Sequence, residues 1–370
     1  MSQGNIKDML ALRANAGSTM AALERIPRPE VGPRDVLIKV RSAGLAPGVF
    51  TMLKMGLLRQ LPTTIGHECA GEVEEVGADV QAFQPGDRVR MHPTMSCGRC
   101  RFCLTGLDQM CAKAAMVGFV SFGAEPVPEF RDYHPGALAE YVRVPMDYVD
   151  MLPDNVSFDV GAKVHDLANA IRCLKAAELP PASTLMILAA TGTMGTAAIK
   201  LASLFGVARL VLVGRSTDRV EMLRGLTTLP VDVIAADAFA DSPDPAAALR
   251  ARVAELLPKS ADAILDFAPN GSNFWTAVES LGTNGTFVHM GGSTQPFPFP
   301  LTAMLRHCWR VIATRNHSRD DARMALELLA SGQLQVDELI SHQFALRDID
   351  KAITAMTSRE QPMWWAVIHP

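Results

Sequence analysis

Four cysteines, Cys97, Cys100, Cys103 and Cys111, fall within fifteen residues, separated by two, two and seven others. Thiolates bind Zn²⁺ at about 2.3 Å, and four of them complete a tetrahedral shell with no position left for substrate, so this spacing predicts a structural zinc. Arg99 and Arg101 offset the negative charge of such a complex. Two disulfides or four unrelated thiols are the alternatives. Cysteines so close in sequence rarely span a disulfide, and Cys69, Cys173 and Cys308 leave an odd total. A second chemical signal is Ala190-Thr191-Gly192-Thr193-Met194-Gly195, set between an apolar run at 185–190 and an alanine-rich stretch at 196–205. Pyrophosphate needs backbone N–H groups at a helix N-terminus and a turn with no side chain in the way. Alanine stands at the first position of the usual glycine triplet, so the placement between strand and helix carries the reading, against a tight turn that holds no nucleotide.

The next apolar run, 210–213, ends in Gly214-Arg215-Ser216. No carboxylate follows it to hydrogen-bond the ribose hydroxyls of NAD. A small residue, Gly214, leaves room for a 2′-phosphate, which a guanidinium and a hydroxyl can hold, with Arg219 one helical turn on, and this predicts NADP(H) over NAD(H). Met290 and Gly291 end a further strand at the ligand edge of the sheet, where their backbone can meet the nicotinamide carboxamide.

These groups need two kinds of scaffold. Up to about residue 155, short β-branched runs at 36–40, 71–76, 87–91 and 141–144 alternate with turns such as Gln84-Pro85-Gly86-Asp87, a pattern of strands joined by turns. Beyond residue 160, apolar runs at 185–190, 210–213, 233–234, 263–265 and 286–290 alternate with helical stretches at 196–205, 246–257 and 275–281, the signature of a doubly wound parallel sheet. Helical stretches at 319–331 and 349–357 precede a closing strand at 364–368. A chain of 370 residues with 48% hydrophobic and 20% charged residues suits two well-packed domains. A net charge of −4 gives no reason to expect a nucleic-acid partner, and with no apolar stretch of bilayer length the expectation is a cytoplasmic protein without a membrane partner, acting on a small molecule.

The chain resembles the medium-chain dehydrogenase/reductases, the zinc-containing alcohol dehydrogenase superfamily. Gly66-His67-Glu68-x-x-Gly71-x-Val73-x-x-Val76-Gly77 is similar to the family signature, Pro85-Gly86-Asp87-Arg88-Val89 follows it, and the cysteine cluster matches the structural-zinc lobe. The resemblance implies an α/β protein: a GroES-like catalytic domain over 1–160 with the zinc lobe at 92–115, a Rossmann domain over 161–315, and a return to the catalytic domain over 316–370. It also implies a cleft for hydride transfer and a homodimer or homotetramer.

At the catalytic metal this sequence departs from the family it resembles. Family members hold a second zinc with a cysteine, the signature histidine and a third ligand, and place a hydroxyl residue two positions after the cysteine. Here those first two positions read Ala46 and Gly48; the third ligand aligns with His165, beside Asp166, and Asn169 aligns where a threonine packs near nicotinamide. His67 and His165, with Glu68 or Asp166, could rebuild a metal site, but methyl and hydrogen replace neither a thiolate nor a hydroxyl, and loss of the second zinc is the favoured expectation. Without a Lewis acid, substrates whose developing anion is delocalised become the better fit. The expected activity is therefore NADPH-dependent reduction of a conjugated carbonyl or quinone-like substrate, with His67, Glu68 and His165 as catalytic residues; Tyr141 is a candidate donor whose more common role is that of a packed strand residue. The alternatives are a zinc-dependent alcohol dehydrogenase or carbonyl reductase with an altered ligand set, and an NADPH-binding protein without turnover. The segment 126–134 is expected near the substrate, and His92 and His134 are further polar residues for that space.

Overall fold

The computed structural model describes residues 8–269, 273–358 and 360–370. The chain divides into two compact units, one of residues 1–165, 318–333 and 337–370, the other of residues 166–317 and 334–336.

The first unit is built on a mainly antiparallel sheet. Its central strand, Asp35–Gly44, is long and almost wholly buried, and it pairs with Cys69–Val76 along one edge and with Tyr141–Pro145 along the other. The C-terminal strand Trp365–His369 joins the far end of the same strand through Val367–Gly44 and Ile368–Ala43. Valine, isoleucine and alanine on these strands form one core with Leu45, Ile65, Phe130 and Leu138. An N-terminal hairpin, Asp8–Ala14 with Ala21–Pro27, pairs through its first strand with Thr63–Thr64. The cysteine lobe carries the small ladder Thr94–Met95 with Ala115–Met116 and the short helix Arg101–Leu104.

The second unit is a six-stranded, wholly parallel sheet. From one edge to the other its strands are Val231–Ala235, Val207–Gly214, Ser183–Leu188, Ala261–Asp266, Leu281–His289 and Arg310–Ala313. In chain order that is 3-2-1-4-5-6, the arrangement that binds dinucleotides where the strand order reverses. The three central strands carry buried apolar runs, Leu185–Leu188, Leu210–Val213 and Ala263–Leu265, as expected of a sheet covered on both faces, while the edge strand Arg310–Ala313 is partly exposed.

Two boundaries differ from the sequence reading. The first strand stops at Leu188 because Ala189 turns into the left-handed region at φ 56°, so the helix begins at Thr193 and its last turn, Ala202–Phe205, tightens to a 3-10 helix. The stretch expected as helix over 275–281 is a 3-10 helix, Asn273–Ser280, and Leu281 already belongs to the next strand, paired with Ala261. No helix among the described residues is long and apolar enough to cross a membrane.

Candidate active site

His67 and Glu68 lie on the stretch between the strands Thr63–Thr64 and Cys69–Val76. The turn that aims them depends on Gly66, whose φ of 101° is closed to most L residues. Gly66 packs backbone to backbone against Gly118 and Gly136: a Cβ on either would stand 2.2 or 2.1 Å from the Gly66 carbonyl oxygen. The His67 ring stacks on Phe119 at 5.0 Å and meets His165 edge-on at 4.7 Å between centroids. Its Nε2 stands 3.5 Å from Glu68 Oε1, and its buried Nδ1 has no hydrogen-bond partner among the described residues.

Glu68 is buried and fixed on two sides. Its carboxylate lies against the α-carbon of Gly44, where a Cβ would fall 1.8 Å from Oε2, and that same oxygen accepts a hydrogen bond from Lys163 Nζ at 2.5 Å. Lys163 follows the helix Phe158–Ala162, which Gly161 lets pack tightly on Leu152 and Ala70. Lys163 is fully buried, so the pair is an internal ion pair rather than a surface contact. Burial pushes the Glu68 carboxyl up, but the Lys163 ammonium and then His67 outweigh it and hold the group at about 2.

Donor atoms of His67, Glu68 and His165 lie within 4.8 Å of one another, a spacing from which a metal could be held. The charge of the site as it stands does not fit one. Glu68 already carries an ammonium, and the position that would offer a thiolate is Ala46, the residue before the helix Pro47–Lys54. Gly48 offers no hydroxyl; a Cβ there would stand 3.8 Å from the Phe119 ring. Asp166, the other carboxylate considered as a ligand, accepts from Thr193 Oγ1 at 2.8 Å.

The four clustered cysteines do fit zinc. Cys97 Sγ to Cys103 Sγ is 4.0 Å and Cys100 Sγ to Cys103 Sγ is 3.5 Å. Thiolates around one zinc stand about 3.8 Å apart, whereas disulfide sulfurs are bonded at about 2.0 Å. The backbone N–H of Arg99 holds the Cys97 thiol down to about 6, while burial pushes Cys103 up to about 12 and Cys111 upward although the Lys113 N–H reaches its Sγ at 3.4 Å; the charge of a zinc ion would deprotonate these two. Bound there, zinc would tie the lobe together and leave no open coordination position.

In the second unit, the nucleotide turn has the expected form. Gly192 is exposed and opens the helix Thr193–Leu201 without a side-chain cap, while Gly195 must be glycine because a Cβ would stand 2.5 Å from the Ala190 carbonyl oxygen. Thr191 and Met194 are half-buried on either side of Gly192 and Thr193. Beside the sheet, Arg215 and Arg219 form no ion pair among the described residues. Two parts of the sequence reading need correction here. Gly214 is small because Val220 Cγ2 would stand 2.4 Å from its Cβ, which is a packing demand and not by itself a sign of phosphate. A carboxylate also does reach this edge: Asp237, past the end of the neighbouring strand, accepts from Thr217 N at 2.9 Å and Thr217 Oγ1 at 2.7 Å. Parallel strands finish on one side of a sheet, so a residue twenty positions on arrives beside the first loop.

The Met290–Gly291 edge is stapled from below. Buried Asp266 accepts from His289 Nδ1 at 2.8 Å, Trp275 Nε1 at 2.9 Å and Ala268 N at 3.0 Å, and Gly291 presses on the Ala268 carbonyl.

Other candidates serve the framework. Tyr141 packs with Met9, Ala11 and Ala139, its ring under the Arg28 guanidinium at 4.6 Å, as a packed strand residue does. In the segment 126–134, Phe130 is buried, Tyr133 donates to Asp35 Oδ1 at 2.6 Å, and His134 Nδ1 lies 2.9 Å from Thr63 Oγ1. His92 is buried beside Tyr148 and Asp108. Reasoning from sequence missed Lys163, Phe119, Gly44 and Asp237. Only Lys163 left a local trace, as a charge inside the run Val160-Gly161-Ala162-Lys163-Val164.

Residues 32–154 match the family described as Alcohol dehydrogenase GroES-like domain, and residues 193–331 match Zinc-binding dehydrogenase. The chain is 27% identical over 341 residues to "Probable D-xylulose reductase A" of Aspergillus fumigatus, covering 91% of this chain and 90% of that protein. It is 27% identical over 364 residues to L-idonate 5-dehydrogenase of Vitis vinifera, covering 94% of each. Among solved structures, a cobalt- and zinc-bound thermostable alcohol dehydrogenase from Pyrobaculum aerophilum superposes with a TM-score of 0.80 at 25% identity, covering 98% of this chain and 100% of that one.

Proposed function

The chain belongs to the medium-chain, zinc-type alcohol dehydrogenase family of oxidoreductases, and from that premise we propose that it reduces a conjugated carbonyl or quinone-like substrate with NADPH and without a catalytic zinc. The observation that carries this reading is the Lys163 ammonium on Glu68, inside the only donor cluster among the described residues besides the four cysteines. A bound NADPH would supply the hydride. The nucleotide turn Ala190–Gly195 would hold its pyrophosphate, Arg215, Ser216 and Arg219 its 2′-phosphate, and the Met290–Gly291 backbone its carboxamide. The two guanidiniums, without an ion pair among the described residues, support NADPH, since Asp237 already spends its carboxylate on Thr217.

His67 is the group proposed to face the substrate oxygen. Glu68 orients the ring through Nε2, and Nδ1 is the buried ring atom still lacking a partner. His67 donates Nδ1–H to the oxygen on which charge develops once hydride reaches the β-carbon, and the proton it gives up is replaced from water. Conjugation spreads that charge, so a hydrogen bond can do what a simple ketone would demand of a Lewis acid. Phe119 presents an apolar face beside His67, suited to a planar unsaturated substrate.

NADPH oxidation against a panel of enones, quinones, aldehydes and polyols, with zinc counted per chain, tests the reading. Enone or quinone turnover with one zinc per chain is expected, and His67→Ala is expected to lower kcat about 100-fold with little change in NADPH affinity. A second reading, a zinc-dependent polyol or alcohol dehydrogenase with ligands His67, Glu68 and His165, draws on the clustering of those donors and on the names of the curated relatives. Polyol oxidation that depends on a second zinc would replace the first reading with this one.

A further inference from the structure

We propose that Lys163 is the resident cation of the His67 cluster: it keeps a divalent ion out, and removing its amine alone converts His67, Glu68 and His165 into a zinc site. Two imidazoles, one carboxylate and a water make an accepted zinc set, and the three donors already stand within 4.8 Å of one another. What disqualifies them as they stand is Lys163 itself. Its Nζ sits 2.5 Å from Glu68 Oε2 and balances the carboxylate, so an arriving divalent ion would meet a neighbouring positive charge and a carboxylate already engaged. Nor can the carboxylate swing out of reach. Oε2 lies against Gly44 where even a methyl group would not fit, and the Lys163 backbone is anchored by its N–H to the Val160 carbonyl at 3.0 Å. Glu68 is thus held between a bare α-carbon and an ammonium, and the site has a built-in substitute for the charge of a metal. The inference rests on the metal-free reading above.

The test is zinc stoichiometry of the full chain after equilibration with Zn²⁺ and desalting, for the wild type, Lys163→Met and the double variant Lys163→Met/His165→Ala. Expected values are one zinc per chain for the wild type, two for Lys163→Met and one again for the double variant. Added Zn²⁺ should raise the melting temperature of Lys163→Met and leave that of the wild type unchanged. Lys163→Gln, which keeps a donor on Glu68 without the charge, should gain the second ion more weakly and carries the test if Lys163→Met fails to fold. The two proposals fail differently. A wild type with two zincs, one lost on His67→Ala, sinks both; a wild type with one zinc and a folded Lys163→Met that also stays at one sinks only the role given to Lys163.

Discussion

Replacing Glu68 with glutamine removes one charge from a buried pair and leaves Lys163 without its counter-ion, and the cost can be approached in two ways. The carboxyl is held at about 2 against an ordinary 4.5, and at roughly 1.4 kcal/mol per pH unit that displacement corresponds to about 3 kcal/mol of stability at neutral pH. Breaking a buried ion pair from one side costs about 3–5 kcal/mol, because the surviving charge has no water to turn to. The two agree well enough to commit to a loss of about 3–5 kcal/mol, or a fall in Tm of roughly 6–20 °C at about 2–4 °C per kcal/mol for a unit of this size. Urea unfolding of Glu68→Gln, Lys163→Met and the double variant, all with the structural zinc retained and no free zinc present, measures it. The double variant buries no lone charge and should lie closer to the wild type than either single one, giving a coupling of about 2 kcal/mol or more. The pH dependence has a definite sign. Because the folded carboxyl titrates below its unfolded value, the contribution is complete above about pH 4.5 and is lost as pH falls toward 2, and Glu68→Gln should lack that acid-dependent component. If Glu68→Gln lies within about 1 kcal/mol of the wild type, or if the two single losses simply add, the ion pair does not hold the site as argued.

Gly44→Ala should disturb the same carboxylate from the opposite side, lowering turnover while the affinity for NADPH is kept, as paired kinetics and calorimetry would show. Arg215→Ala with Arg219→Ala should weaken NADPH binding by about 10–100-fold and NADH binding far less, as two charge-assisted contacts to a 2′-phosphate require; equal losses for both coenzymes would refute that assignment. With structural zinc in place, iodoacetamide at pH 8 should label exposed Cys308 and spare Cys69, whose thiol burial pushes up to about 12; peptide mass mapping reads the outcome. A homodimer or larger oligomer is expected from the edge strand Arg310–Ala313 and the exposed Leu301 and Leu305, and light scattering of Leu305→Glu should show its dissociation.

The legible parts of this chain were those whose physics is local. Thiolate spacing, the strand–glycine–helix turn and the run of buried strands each declare themselves within about fifteen residues, and the structure bears out the fold they implied. The signature around His67 was equally plain, as was the missing thiolate at Ala46. What stayed hidden are pairings between segments that sequence does not bring together. Lys163 and Glu68 lie 95 positions apart, and nothing near either one announces the other. Asp237 reaches Thr217 only because two parallel strands end side by side. Gly214 shows the converse error, since a small residue that suggested a ligand answers to the Val220 side chain. Tyr141 is placed by the alternation of its strand, which turns the ring onto Met9 and Ala139, as the sequence reading preferred.

The contact of Gly66, Gly118 and Gly136 bears on how this enzyme can change. Three segments distant in sequence meet there at bare α-carbons, so beneath His67 the chain has already used the smallest residue available and has nothing left to trim. A mutational library aimed at bulkier substrates would find that floor unyielding and would have to gain its space from Phe119, whose half-buried ring is the adjustable wall.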